Sequence, residues 1–227
     1  MSATLDRKHV RLIRHAESAA NAGLVTTDPD TIPLTENGRK QATALAASLD
    51  HAPQLIVYSP FDRARMTAQP IIQRFPDVPT ATWPVEEFTY LSPRRFNGST
   101  QAQRKPQADG YWAQGDAAFR DGEDAESFRQ LLDRAQTLLD RLARHEAEDI
   151  LVVSHGQFIR AVAWLILYAD EAATPARMRA FRQQDVAVPL GNCQSYLMVF
   201  GPDGWRVLYP ISADELPQPA DPFCSAP

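Results

Sequence analysis

Three short apolar runs constrain this chain's fold most strongly. VRLI (Val10–Ile13), LIVY (Leu55–Tyr58) and ILVV (Ile150–Val153) are dominated by aliphatic and β-branched residues. Runs of that length and make-up read as strands buried on both faces, in a sheet with helices on either side. Helical signals separate them. Thr35 is placed to cap ENGRKQATALAASLD, where Ala42, Leu45, Ala46 and Leu49 share one face. Ser59-Pro60 reads as the N-cap and first position of a helix that carries Arg63 and ends or kinks near Pro70. Ala81–Val85 is a candidate third strand. Phe128, Leu131, Leu132, Ala135, Leu138, Leu139 and Leu142 mark a long amphipathic helix. FIRAVAWLILY follows the ILVV strand as an apolar helix. Gln194–Phe200 and Trp205–Leu208, joined by GPDG, read as a closing hairpin. Strand–helix alternation of this kind predicts an α/β fold with a largely parallel sheet, and the hairpin makes the sheet mixed.

With 227 residues, 44% of them hydrophobic, the chain can bury one sizeable core. The reading is a single domain over 1–211 and a proline-rich tail over 212–227. Within the domain, 86–122 mixes Pro93, Arg94, Arg95, Gly98, Arg104, Lys105, Pro106, Tyr111 and Trp112 with little periodicity. It reads as a lid-like insertion. Its basic residues are placed to meet anionic groups or simply to form a solvated face, and Tyr90, Tyr111 and Trp112 to pack on an organic ligand. A net charge of -5 argues against a dedicated nucleic-acid surface. The most apolar helix is about half a bilayer span and contains Arg160, so no membrane partner is expected. MSATLDRKHV lacks the apolar stretch of a secretory signal. Cys193 and Cys224, the only two cysteines, suggest no disulfide framework and point to the cytoplasm. Oligomeric state is not encoded in any readable pattern.

The chemistry concentrates where the strands stop. VRLI runs into Arg14-His15, LIVY into Ser59 with Arg63 one helical turn on, and ILVV into Ser154-His155-Gly156. Taken singly, each has a plain reading: a solvated strand end, a surface helix residue, a core histidine. Taken together they meet, because ligands of open α/β sheets bind at the carboxyl ends of the strands. Two guanidiniums offer forked donors to a dianionic tetrahedral group. A neutral imidazole can attack phosphorus when its other nitrogen is held as a donor, and a carboxylic acid from Glu86 or Glu87 can protonate the leaving oxygen. His9, His51 and His145 lack such neighbours and read as strand-start and surface residues. No GxSxG elbow, HExxH motif or Walker loop competes with this reading.

LIRHAES, PLTENGRKQA, YSPFDRARMTAQPI, VEEF and VVSHGQFIR, in that order, resemble the histidine phosphatase superfamily, with its phosphoglycerate mutase-like fold. The resemblance implies a three-layer α/β/α sandwich, a phosphohistidine intermediate and no metal or cofactor. Carried onto this sequence, it makes His15 the nucleophile and Arg14, Arg63 and His155 the phosphate pocket. It puts Ser18, Asn21, Gly156 and Gln157 in contact with substrate. Glu87 becomes the proton donor, with adjacent Glu86 as the alternative. Ala16 stands where the family commonly has glycine. The tryptophan-rich signature of cofactor-dependent mutases is missing after Asn21, which places the chain nearer the phosphatase-type members. The expected activity is hydrolysis of a phosphomonoester, on a small molecule or a phosphoprotein. A mutase and a non-catalytic phospholigand-binding module are the alternatives.

Overall fold

A computed structural model describes residues 8–168 and 173–211. Six strands, β1 (Lys8–Arg14), β2 (Leu55–Tyr58), β3 (Thr80–Thr82), β4 (Asp149–Ser154), β5 (Ser195–Gly201) and β6 (Gly204–Ile211), form one sheet in the order β3-β2-β4-β1-β5-β6. The first four are mutually parallel, and β5 and β6 close the sheet as an antiparallel hairpin.

Alternation along each buried strand feeds two separate cores. Val10, Leu12, Leu55, Val57, Ile150 and Val152 pack on one face, against α5 (Phe128–Arg144) and α6 (Gly156–Leu167). Ile13, Ile56, Leu151 and Val153 pack on the other, against α1 (Glu36–Ser48) and α2 (Asp62–Arg74). The strands therefore read as continuous apolar runs because both faces are covered, which is the three-layer α/β/α arrangement. Thr35 caps α1 by accepting from the Gly38 amide at 3.0 Å.

Local differences from the sequence expectation each have a cause. The third strand is Thr80–Thr82, not Ala81–Val85. Trp83 and Val85 are buried beyond the strand's end and fill the core, the Trp83 amide making one last bond to Tyr58 O at 3.1 Å. The second helix starts at Asp62 with Phe61 as N-cap rather than at Ser59-Pro60, because Ser59 still continues the strand, its amide bonding Val153 O at 3.0 Å. That helix also runs through Pro70 to Arg74. Fully buried Ala68 and Ile71 hold it in place despite the missing N–H.

The 86–122 segment is more regular than its sequence suggests. Ser92 caps a short helix, α3 (Pro93–Phe96), and Thr100 and Gln103 form a capping box on α4 (Gln101–Gln114). Pro106 and a run of polar residues mask the helical spacing of Ala108, Tyr111 and Trp112. Tyr111 and Trp112 are buried among Phe88, Phe128 and Phe181, so they belong to the core and not to a ligand surface. A further helix, α7 (Pro175–Ala187), also escaped the pattern reading, since it buries only Met178 and Phe181. The 212–227 tail, with Cys224, lies outside the described residues.

One close approach ties the fold to the site. A Cβ on Gly38 would sit 2.0 Å from the carbonyl oxygen of Glu17, two residues after His15. A Gly38→Ala protein is therefore expected to lose about 1–3 kcal/mol of stability through overpacking. Urea denaturation measures this, and an unchanged midpoint would contradict the packing.

Candidate active site

Strand register levels the three polar clusters. Arg14 pairs with Ser154, the ladder continues from the His15 amide to Ser154 O at 2.9 Å, and Ser59 pairs in the same way with Val153. His15 and His155 thereby come together with ring centroids 5.1 Å apart. Both are buried.

The orientation of His15 follows from its partners. Nδ1 lies 2.7 Å from the carbonyl oxygen of Ala16, which only accepts, so Nδ1 carries the proton. Nε2 keeps its lone pair and receives the Nε–H of Arg63 at 3.2 Å. Burial, then the charges of Arg63 and Arg14, hold the His15 pKa well below its ordinary value of 6.5. The imidazole is neutral at pH 7, as a nucleophile must be. His155 is held low by burial and by Arg63 in the same way. Its Nε2 bonds Ser59 Oγ at 2.8 Å, and among the described residues its buried Nδ1 has no partner.

Both arginines are anchored through backbone carbonyls. Arg63 Nη1 donates to Pro29 O at 2.7 Å, and Arg14 Nη1 donates to Leu190 O. Arg14 Nε is buried and has no partner among the described residues. Burial pushes the Arg63 guanidinium down to about 10, which leaves it charged at pH 7. Two cations and an imidazole, anchored from behind with donors left over, suit a tetrahedral dianion.

Of the adjacent glutamates, Glu87 lines the cavity, while Glu86 points to Arg134 on α5 at 3.5 Å. One Glu87 oxygen accepts the amides of Phe88 (3.0 Å), Gln157 (3.1 Å) and Phe158 (3.2 Å), the last two from the first turn of α6. Burial nevertheless raises the Glu87 pKa above its ordinary 4.5, against the Phe88 amide and the two arginines. The start of α6 thus holds this carboxyl group through the Gln157 amide. Gly156 lies against the Arg14 guanidinium, where a Cβ would come 3.5 Å from Nε.

Ser18 and Asn21 sit on the loop after His15. The Asn21 side-chain oxygen accepts from the Ser18 amide (3.2 Å), Ser18 Oγ (3.1 Å) and Asn192 Nδ2 (3.1 Å). Asn192 also donates to the His15 carbonyl at 2.9 Å, bracing that residue's backbone. Sequence reasoning passed over Asn192, which lies in a turn where neighbouring Cys193 has φ 60°. It passed over Asp185 too. That α7 carboxylate accepts from Gln157 Nε2 (3.0 Å), Arg160 Nε (3.1 Å) and Arg182 Nη1 (2.9 Å), so it ties the start of α6 to the cavity wall. His51 and His145 stay clear of the site, one against Asp149 and the other against Trp83. The cavity that contains Arg14, His15, Arg63 and Glu87 has a volume of about 590 Å³.

Residues 10–210 match the profile of the histidine phosphatase superfamily (branch 1). The chain belongs to that superfamily. This histidine phosphatase is similar to the metal-independent phosphoserine phosphatase of Arabidopsis thaliana, with 33% identity over 71% of this chain and 69% of the relative. It is also similar to the adenosylcobalamin/alpha-ribazole phosphatase of Salmonella typhimurium, with 32% identity over 63% and 72% of the two chains. Among solved structures, mycobacterial hydrolase 1 superposes with a TM-score of 0.69 at 23% identity, over 89% of this chain and 97% of that one. The phosphoserine phosphatase of Entamoeba histolytica, in complex with 3-phosphoglyceric acid, gives 0.69 at 24% identity over 90% and 96%. The fold is that of these phosphatases, and the activity is phosphomonoester hydrolysis through a histidine. No helix among the described residues is long and apolar enough to cross a membrane.

Proposed function

We propose that this enzyme hydrolyses a small-molecule phosphomonoester, with His15 as nucleophile and Glu87 as the proton carrier. The observation that carries the reading is the His15 geometry: Nδ1–H locked on Ala16 O, and Nε2 beside Arg63. In the first step His15 Nε2 bonds to phosphorus, the bond to the leaving oxygen breaks, and Glu87 protonates that oxygen. Arg14, Arg63 and His155 carry the charge on the phosphoryl oxygens. In the second step water attacks phosphorus, Glu87 takes its proton, and the bond to Nε2 breaks to release inorganic phosphate. Ser18 and Asn21 border the phosphate, Gly156 makes room for Arg14, and Gln157 holds Glu87 in place.

A cavity of about 590 Å³ suits a metabolite-sized body better than a folded phosphoprotein. The 86–122 segment acts as its outer wall, within a single catalytic domain over residues 1–211. The relatives named for phosphoserine and alpha-ribazole phosphate support a small polar substrate. Only two cysteines in 227 residues fits work in a reducing cytoplasm.

Rapid-quench mixing with radiolabelled substrate tests the reading. The expected product is a transient phosphoenzyme stable to base and labile to acid, as a phosphoramidate is. A hydroxylamine-labile acyl phosphate, or phosphate release with no enzyme-bound label, would refute it.

A further inference from the structure

Of the five basic residues of the 86–122 segment, Arg120 donates to the carbonyl oxygens of Ala125 and Glu123, and the other four have separate fates. Arg95 pairs with Asp121, and Lys105 pairs with Asp109 one turn along α4. Arg94 does not line the cavity. Arg104 does, and among the described residues it has no carboxylate partner. Its Nη1 is fixed by Ser99, at 2.8 Å from the carbonyl oxygen and 3.1 Å from Oγ. The same Ser99 carbonyl accepts the Thr26 amide at 3.2 Å, so two chain segments hold this guanidinium in place. No partner is seen for Arg104 Nε or Nη2 among the described residues.

The charge balance of the cavity points the same way. Five basic side chains line it, against the carboxyl groups of Glu87 and Asp109, in a chain of net charge -5. A phosphate dianion answers Arg14 and Arg63. Asp109 answers Lys105, and Asp185 is shared between Arg182 and the buried Arg160. Arg104 is left over, a half-buried cation whose loss of solvation is compensated only by neutral oxygens. Free donors on a pre-positioned guanidinium fit a planar or tetrahedral anion.

We infer that Arg104 is a specificity-determining residue that binds a second anionic group of the substrate, a carboxylate or a further phosphate, so that the preferred substrates are phosphomonoesters bearing another negative charge. This rests on the phosphatase reading above and narrows its substrate class.

Matched substrate pairs test it: O-phosphoserine against O-phosphoethanolamine, which differ by one carboxylate, and a sugar bisphosphate against the corresponding monophosphate. In the wild-type enzyme kcat/KM is expected to favour at least one doubly anionic member by about 10-fold or more, the scale of a charge-assisted hydrogen-bonded pair. Arg104→Ala and Arg104→Gln should collapse that ratio toward one, while Arg104→Lys keeps part of it. The carboxylate pair and the phosphate pair report separately which anion is taken. No preference in either wild-type pair, or a ratio that survives both neutral variants, would overturn the inference. Those outcomes leave the phosphatase reading intact provided turnover of p-nitrophenyl phosphate depends on His15. If that turnover does not depend on His15, the phosphatase reading itself fails.

Discussion

A His15→Ala protein is expected to lose phosphatase turnover by about 10⁴-fold or more, whatever the leaving group. The reason is geometric. In this chain one imidazole nitrogen faces a carbonyl and the other the Arg63 guanidinium. His155 cannot take over, because its Nε2 is held by Ser59 Oγ at 2.8 Å. The variant should still bind inorganic phosphate, since Arg14 and Arg63 are anchored by Leu190 and Pro29 and not by His15 alone. Isothermal calorimetry with phosphate then separates lost chemistry from lost binding. Undiminished turnover in His15→Ala would remove the proposed nucleophile.

Glu87→Gln is expected to act selectively. With an alkyl phosphate, whose leaving oxygen needs a proton, kcat/KM should fall by about 10²–10⁴-fold. With an aryl phosphate bearing a good leaving group the first step should be far less affected. The pH profile gives a second reading. His15 must be neutral, so the wild-type rate falls on the acid side as pH drops through its pKa, which lies well below 6.5. Glu87 must start protonated, so the rate on alkyl substrates falls as pH rises through its pKa, which lies above 4.5. Glutamine cannot ionise, so the variant should lose that basic limb and keep the acid one. Equal losses on both substrates, with the basic limb unchanged, would assign the acid role elsewhere. Glu86 is poorly placed to inherit it, since its carboxylate faces Arg134.

The β/α order could be read along the chain because strand and helix periods are local signals. Val10–Ile13, Leu55–Tyr58 and Ile150–Val153 announce buried strands within a few residues, and the groups after each strand sit at the sheet edge by topology alone. Arg14, His15, Arg63 and His155 were therefore visible as a set. Local signals failed where packing overrode them. Pro70 did not end its helix, since Ala68 and Ile71 were already committed to the core. Tyr111 and Trp112 look like ligand-facing aromatics in a polar stretch, yet Phe88, Phe128 and Phe181 enclose them.

Residue order along the chain was enough to establish the layered α/β scaffold and the gathering of two imidazoles and two guanidiniums, since each depends on patterns a few residues long. The separation of Glu87 from Glu86 arises from amides 70 and 71 positions away, at the start of α6. The brace that Asn192 puts behind His15 spans 177 positions. Arg104 is fixed at the cavity wall only once the Ser99 carbonyl that holds it also takes the Thr26 amide from a distant segment. Contacts of that range come into being when distant segments pack, and no local periodicity records them.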